Sequence, residues 1–214
     1  MLGLIFFMVA TLFASEAKAV ERFTGLVEVP ALKFDRPQEL AQAVQIFAEP
    51  STQAKVVAAI REWKQLEYRH VSVDDVAAVF YEYQVTSSVW FRIRYFHGTQ
   101  SSYGWLNIKN AGKHWWYSQL VRGSMTYFTD AWDKRLYPRP NVQAPSQHFS
   151  DIGKNHDVTV AHSRGMGKDL WFLVVIIEKS SCAFDEEGTT IIASGWVPGY
   201  TEGGEETIWH YAAC

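Results

Sequence analysis

Trp90-Phe91-Arg92-Ile93, followed by Gly104-Trp105-Leu106, decides the reading of this 214-residue chain, because the pattern recurs. The second copy reads Trp171-Phe172-Leu173-Val174 and then Gly195-Trp196-Val197. Each copy is preceded by a run that ends in proline, Gln45-Ile46-Phe47-Ala48-Glu49-Pro50 and Arg135-Leu136-Tyr137-Pro138-Arg139-Pro140. Each is followed by an aromatic cluster, Trp115-Trp116-Tyr117 and Trp209-His210-Tyr211, and these two clusters are read as equivalent positions. The prolines lie 90 residues apart and the glycines 91, whereas the Trp-Phe pairs are only 81 apart, so loop lengths differ there. Two copies of one small unit suit a binding module better than an enzyme with one unique pocket.

Around these landmarks the chain alternates with period two, which predicts half-buried strands. Val79, Tyr81, Tyr83 and Val85 fall on one face and Phe80, Glu82 and Gln84 on the other; Phe91, Ile93 and Tyr95 oppose Trp90, Arg92 and Arg94. Thr86-Ser87-Ser88 reads as a hairpin turn, and His97 to Ser102 as another polar turn. Val56 to Ile60 is expected to be a strand after the turn at Glu49–Thr52. A short helix is expected at Asp35–Ala41, where Pro37 follows a capping aspartate. Residues 122–134 read as a linker whose Tyr127, Phe128 and Trp132 fill an interface. The second copy offers no clear second strand between Pro140 and Val158.

The first nineteen residues read as a secretory signal peptide: an apolar stretch from Leu4 to Ala14, then Ala17-Lys18-Ala19 as a small-x-small cleavage pattern. No Lys or Arg precedes the apolar core, and no later segment is apolar enough to span a membrane. Cys182 and Cys214 form an even pair, expected to be a disulfide in an exported chain. Aromatic residues make up 15% of the chain, with nine tryptophans, which reads either as well-filled small β cores, the usual place of Trp in such domains, or as exposed stacking surfaces for a ligand. Net charge is −3, unevenly spread. Residues 20–128 hold 12 Lys and Arg against 10 Asp and Glu; residues 129–214 hold 7 against 12. This balance argues against nucleic acid as a partner.

The ordered landmarks resemble the bacterial SH3-like domain family. Its features match a strand running into Pro50, the Trp90-Phe91-Arg92-Ile93 strand, and the Gly-Trp strands at Gly104-Trp105-Leu106 and Gly195-Trp196-Val197-Pro198. The resemblance covers residues 42–121 and 132–214. It implies a mainly β fold of two tandem small SH3-like β-barrels with few or no helices. The first unit would occupy residues 20–128, including an N-terminal extension, and the second 129–214. The chain departs from the family by long insertions at Arg61–Asp75 and Cys182–Thr190. The resemblance further implies a non-catalytic, periplasmic or secreted binding protein whose partner is a cell-wall peptide or glycan, or a wall-associated protein. The alternative is an interaction or inhibitor protein that binds another exported protein through its acidic second unit.

Candidate ligand contacts are the aromatic residues beside the groove strands: Tyr81, Tyr83, Trp90, Tyr103 and Trp116, with Trp171 and Trp209 in the second copy. Arg92 and Arg94 are expected to meet a ligand carboxylate. For the tryptophans, a groove and an inter-unit interface are equally open. Asp185-Glu186-Glu187 with Glu202, Glu205 and Glu206 read as a solvated acidic face. The seven histidines are scattered without metal-ligand spacing, and no nucleophile elbow, phosphate loop or dinucleotide fingerprint occurs. No cofactor, metal or catalytic residue is expected.

Overall fold

A computed structural model describes residues 21–32, 43–72, 75–122, 124–153, 156–178 and 190–211. The signal peptide expected at 1–19, the helix expected at 35–41, and both Cys182 and Cys214 lie outside these described residues. The fold is mainly β, as expected. In chain order the strands are β1 (Gly25–Val27), β2 (Val44–Phe47), β3 (Val56–Ile60), β4 (Tyr68–His70), β5 (Val76–Val85), β6 (Val89–His97), β7 (Gln100–Asn107) and β8 (His114–Trp116). A single helical turn, α1 (Tyr117–Leu120), follows. Then come β9 (Thr126–Phe128), β10 (Arg135–Leu136), β11 (Gln147–His148), β12 (Asp157–Arg164), β13 (Trp171–Ile177), β14 (Ile191–Pro198) and β15 (Ile208–His210).

The first sheet runs β3-β2-β7-β6-β5-β1-β8, with β4 added beside β5. The second runs β14-β13-β12-β9-β15, and the β10–β11 pair joins it where Tyr137 and Trp196 exchange backbone hydrogen bonds of 2.9 and 2.7 Å. Read through that bridge, the second order is the first over again. The register at the landmarks also repeats. Gly104-Trp105 faces Ile93 and Arg92, and Gly195-Trp196 faces Val174 and Leu173. Trp105 pairs with Phe47 on its other side, as Trp196 does with Tyr137.

The glycines have a steric cause. A Cβ on Gly104 would lie 2.4 Å from Ile46 Cγ2, and one on Gly195 would lie 2.9 Å from Leu136 Cβ. The strand leading to the proline crosses over these positions, so only glycine lets the two backbones approach. Each crossing carries the same aromatic clasp. Phe47 meets Trp90 edge-on at 5.4 Å, and Tyr137 meets Trp171 edge-on at 5.5 Å.

Three expectations need correction. Residues 122–134 are not a bare linker: Thr126–Phe128 is β9, which pairs with both β12 and β15 as β1 pairs with β5 and β8. Phe128 is fully buried there, with its ring stacked on Trp132 at 3.6 Å. The second copy does have its second strand, the two-residue β11, too short to leave an alternation in the sequence. The two aromatic clusters are not equivalent across the sheets. Val27 joins Ala78 to His114, whereas Thr126 joins Val158, the counterpart of Ala78, to His210. The partner position of His210 is therefore His114 rather than Trp116.

Two cores result. One is built only from residues of the first sheet and its loops, among them Ile46, Phe80, Phe91, Ile93 and Leu106. The other fills the second sheet with Phe128, Phe172, Val174, Ile176 and Ile208, and it also takes in Leu26, Ala77, Val79, Tyr117, Leu120 and Val121 from the first. The buried Tyr117 hydroxyl seals the junction by donating to the Ile208 carbonyl at 2.5 Å. Tyr200 likewise donates to the Phe23 carbonyl.

Candidate functional site

A bulge shapes one polar surface of the first sheet. Phe80 pairs with Ile93 but Glu82 with Arg92, so Tyr81 is an extra residue in β5. Strict alternation would put Tyr81 and Tyr83 on one face. Because Tyr81 is the extra residue, Tyr83 returns to the first core, while Tyr81 lies on the other face with Glu82, half-buried against the edge of the shared core. Arg92 and Arg94 point outward from β6, because Phe91, Ile93 and Tyr95 fill the core. Tyr103, opposite Arg94 on β7, completes the group.

Four of the sequence-selected residues, Tyr81, Arg92, Arg94 and Tyr103, therefore share one half-exposed patch. The two tyrosine rings meet edge-on at 5.4 Å. The Arg92 guanidinium lies 4.6 Å from the Tyr103 ring centre, and that of Arg94 lies 5.3 Å from Tyr81 and 5.2 Å from Tyr103. Arg94 donates from Nε and Nη2 to the Tyr103 hydroxyl at 2.8 and 2.5 Å, and pairs with Glu67 at 3.2 Å. Tyr81 donates to the same Glu67 carboxylate at 2.5 Å. Burial, then the hydrogen bond to Glu67, pushes the Tyr81 hydroxyl far above its ordinary value, so it stays a donor. Arg92 bridges Glu82 and Glu21, each at 3.1 Å.

The arginines were expected to await a ligand carboxylate. Instead, each is already matched to glutamates of this chain, two arginines against Glu21, Glu67 and Glu82. An anionic ligand would have to displace them. The arrangement instead presents flat rings and guanidinium planes held in fixed orientation, which suits stacking and hydrogen bonding to neutral or zwitterionic groups. Glu21 and Glu67, absent from the sequence selection, are what fix it. No pattern marks them, since Glu67 belongs to the Arg61–Asp75 insertion and Glu21 precedes the first strand.

The remaining candidates are dispersed. Trp90 is 1% exposed, clasped by Phe47 and Trp105, and touches no outer surface. Trp171 is its half-buried counterpart against Tyr137. Trp209 is an interface residue: it meets Phe23 edge-on at 5.1 Å and lies 4.4 Å under the Arg69 guanidinium, which is itself paired with Glu206 at 3.1 Å. Trp116 and Tyr83 are half-buried and pack together at 5.1 Å beside Phe80 and His114, away from the patch.

The acidic face is divided as well. Glu206 is engaged at the junction, Glu202 and Glu205 are exposed, and residues 185–187 lie outside the described residues. Among the described residues no group of three His, Cys, Asp or Glu could hold a metal ion, and no helix is long and apolar enough to cross a membrane. No family model matches the chain, and no curated protein or solved structure matches it at a significant level.

Proposed function

We propose that this chain is an exported, non-catalytic binding protein of two SH3-like units, whose first unit takes a cell-wall peptide or glycan on the Tyr81–Arg92–Arg94–Tyr103 patch. The observation that carries this reading is the pair of perpendicular tyrosine rings with two guanidinium groups held against their faces by Glu21, Glu67 and Glu82. Rigid aromatic and arginine groups offer contact area at little ordering cost. The near balance of charge favours ligands that carry both amine and carboxylate, as stem peptides do, or the hydroxyl and amide groups of a glycan. Repetition of one strand order, with different side chains in each copy, supports recognition rather than chemistry.

Sedimentation with purified peptidoglycan tests this reading. Tyr103→Ala and Arg94→Ala are each expected to weaken binding by about 1–3 kcal/mol, the usual cost of truncating an anchor. Binding should persist at high salt, because stacking is screened far less than exposed charge. Undiminished binding by both variants would remove the patch from the function. Hydrolysis of the wall substrate would replace the reading with an enzymatic one.

A further inference from the structure

The second unit opens a different site at the position where the first has Tyr103. The residue before the Gly-Trp pair is Ser194 there, exposed on β14. Trp196 spends its backbone N–H and C=O on Tyr137, on the side of β14 away from β13. Residues two apart along a strand point the same way, so the N–H and C=O of Ser194 also face outward. The residue that would meet Ser194 across a longer β10 is Arg139. The chain has already turned away at Pro138, and the Arg139 carbonyl accepts from the Asn141 N–H at 2.7 Å.

A cavity of about 370 Å³ lies between this turn and β14, within the usual range for a ligand pocket. Leu136, Tyr137, Pro138, Pro145, Gln147 and Ser194 line it, and no lining residue is charged. Among the described residues no strand pairs with β14 over Ile191–Ser194 beyond β13. The neighbouring edge is apolar: Ile191 is 64% exposed and Ile192, where β14 bulges, is 40% exposed. In the first unit the register position of Ile191 is held by Ser101, and Ile192 is an extra residue with no counterpart there. An open backbone ladder position beside an exposed apolar edge is a template for another strand.

We propose that the second unit binds an extended, uncharged peptide segment. The segment exchanges backbone hydrogen bonds with Ser194, seats one small apolar or amide side chain in the cavity between Pro138 and Pro145, and lies along Ile191 and Ile192. A charged side chain would give up part of its hydration in this half-open cleft and meet no counter-charge in return. This site is separate from the first-unit patch and stands whether or not that patch binds the wall.

Random heptapeptides displayed on phage and selected on the whole chain provide the test, with counter-selection on Ser194→Tyr, which installs the first unit's own residue. The expected product is a set of peptides sharing an uncharged core. A synthetic copy should shift the Ser194 and Gln147 amide resonances, and N-methylation of alternate backbone nitrogens should weaken it by about tenfold or more, the equivalent of a lost hydrogen bond. Gln147→Lys, which places a charge in the lining without crowding it, should bring a comparable loss and covers the case in which Ser194→Tyr misfolds. The proposal is overturned if no sequence is enriched over counter-selection, if the N-methylated twin binds equally well, or if Gln147→Lys binds as the parent does. It is also overturned if chitotetraose moves the Ser194 and Gln147 amides and the peptides do not.

Discussion

Tyr81, Arg92, Arg94 and Tyr103 in the first unit stand where Ala161, Leu173, Val175 and Ser194 stand in the second. Even the bulge recurs, at Tyr81 in β5 and at Ala161 in β12. One backbone plan thus carries a hydrogen-bonded, ring-and-guanidinium surface in one copy and a small, apolar one in the other. The comparison separates what the fold needs from what it displays. The crossing glycine, the clasping tryptophan and the inward Phe-x-Val or Phe-x-Ile pair are kept in both copies, whereas the outward alternates have diverged completely.

The cores differ as much as the surfaces, and there the largest effect is expected. Phe172 is fully buried in the core shared by both units and touches the Tyr117 ring at 5.3 Å. Phe172→Ala should cost about 3–5 kcal/mol. Urea unfolding followed by tryptophan fluorescence and by far-ultraviolet circular dichroism should show both units affected, with the second lost first. Two independent transitions, with only one moved, would break the picture of a shared core.

Gly104→Ala and Gly195→Ala test whether the two crossings are the same device. Each should destabilise by about 1–3 kcal/mol through overpacking. Gly104→Ala is expected to be the worse, because its added Cβ meets Ile46 at 2.4 Å and that of Gly195 meets Leu136 at 2.9 Å. Midpoints of thermal unfolding rank them; a neutral Gly104→Ala would dissolve the equivalence.

His210 sharpens the comparison at the junction. It is 4% exposed, and burial lowers its affinity for a proton below the ordinary histidine value, with the backbone of Val71 opposing and Arg69 adding to the effect. The unfolded chain then binds the proton more readily. Stability is complete above about pH 6.5 and falls as pH drops below it, by at most about 1.4 kcal/mol per pH unit for one group. Denaturant midpoints measured between pH 7 and pH 5 should slope less in His210→Gln; an unchanged slope would assign the acid sensitivity elsewhere.

The smallest expected effect belongs to the patch itself. Tyr81→Phe removes the hydroxyl bonded to Glu67 and should cost about 1 kcal/mol, since the site is half-exposed. Ala161→Tyr, at the matching bulge of the second unit, is expected to gain nothing. Unfolding midpoints of the two variants, compared side by side, decide the matter.

Much of the fold was legible because its landmarks are steric necessities. Gly104 and Gly195 mark backbone crossings, Trp90 and Trp171 mark the clasps, and both obligations leave fixed residues at fixed order. The site was legible only in part. The period-two reading selected Tyr81, Arg92, Arg94 and Tyr103, but it grouped Tyr83 with Tyr81, because an extra residue in a strand leaves no local trace. It also offered Trp90 as a candidate ligand contact, since alternation gives a face and not what covers that face. The partners Glu21 and Glu67 lie 71 and 27 residues from the arginines they hold, a distance at which no sequence pattern operates.

The unequal cores also impose a direction on how the molecule comes into being. The core around Phe80, Phe91 and Leu106 uses nothing beyond the first sheet and its loops, so it can close once the chain has emerged as far as Trp116. The second core has no such independence. It needs Leu26, Val79 and Tyr117 of the first sheet as one of its walls. A templated order of assembly, the first core before the second, is therefore expected. The first unit would then serve as a scaffold resident in the same chain, on which the second completes its core.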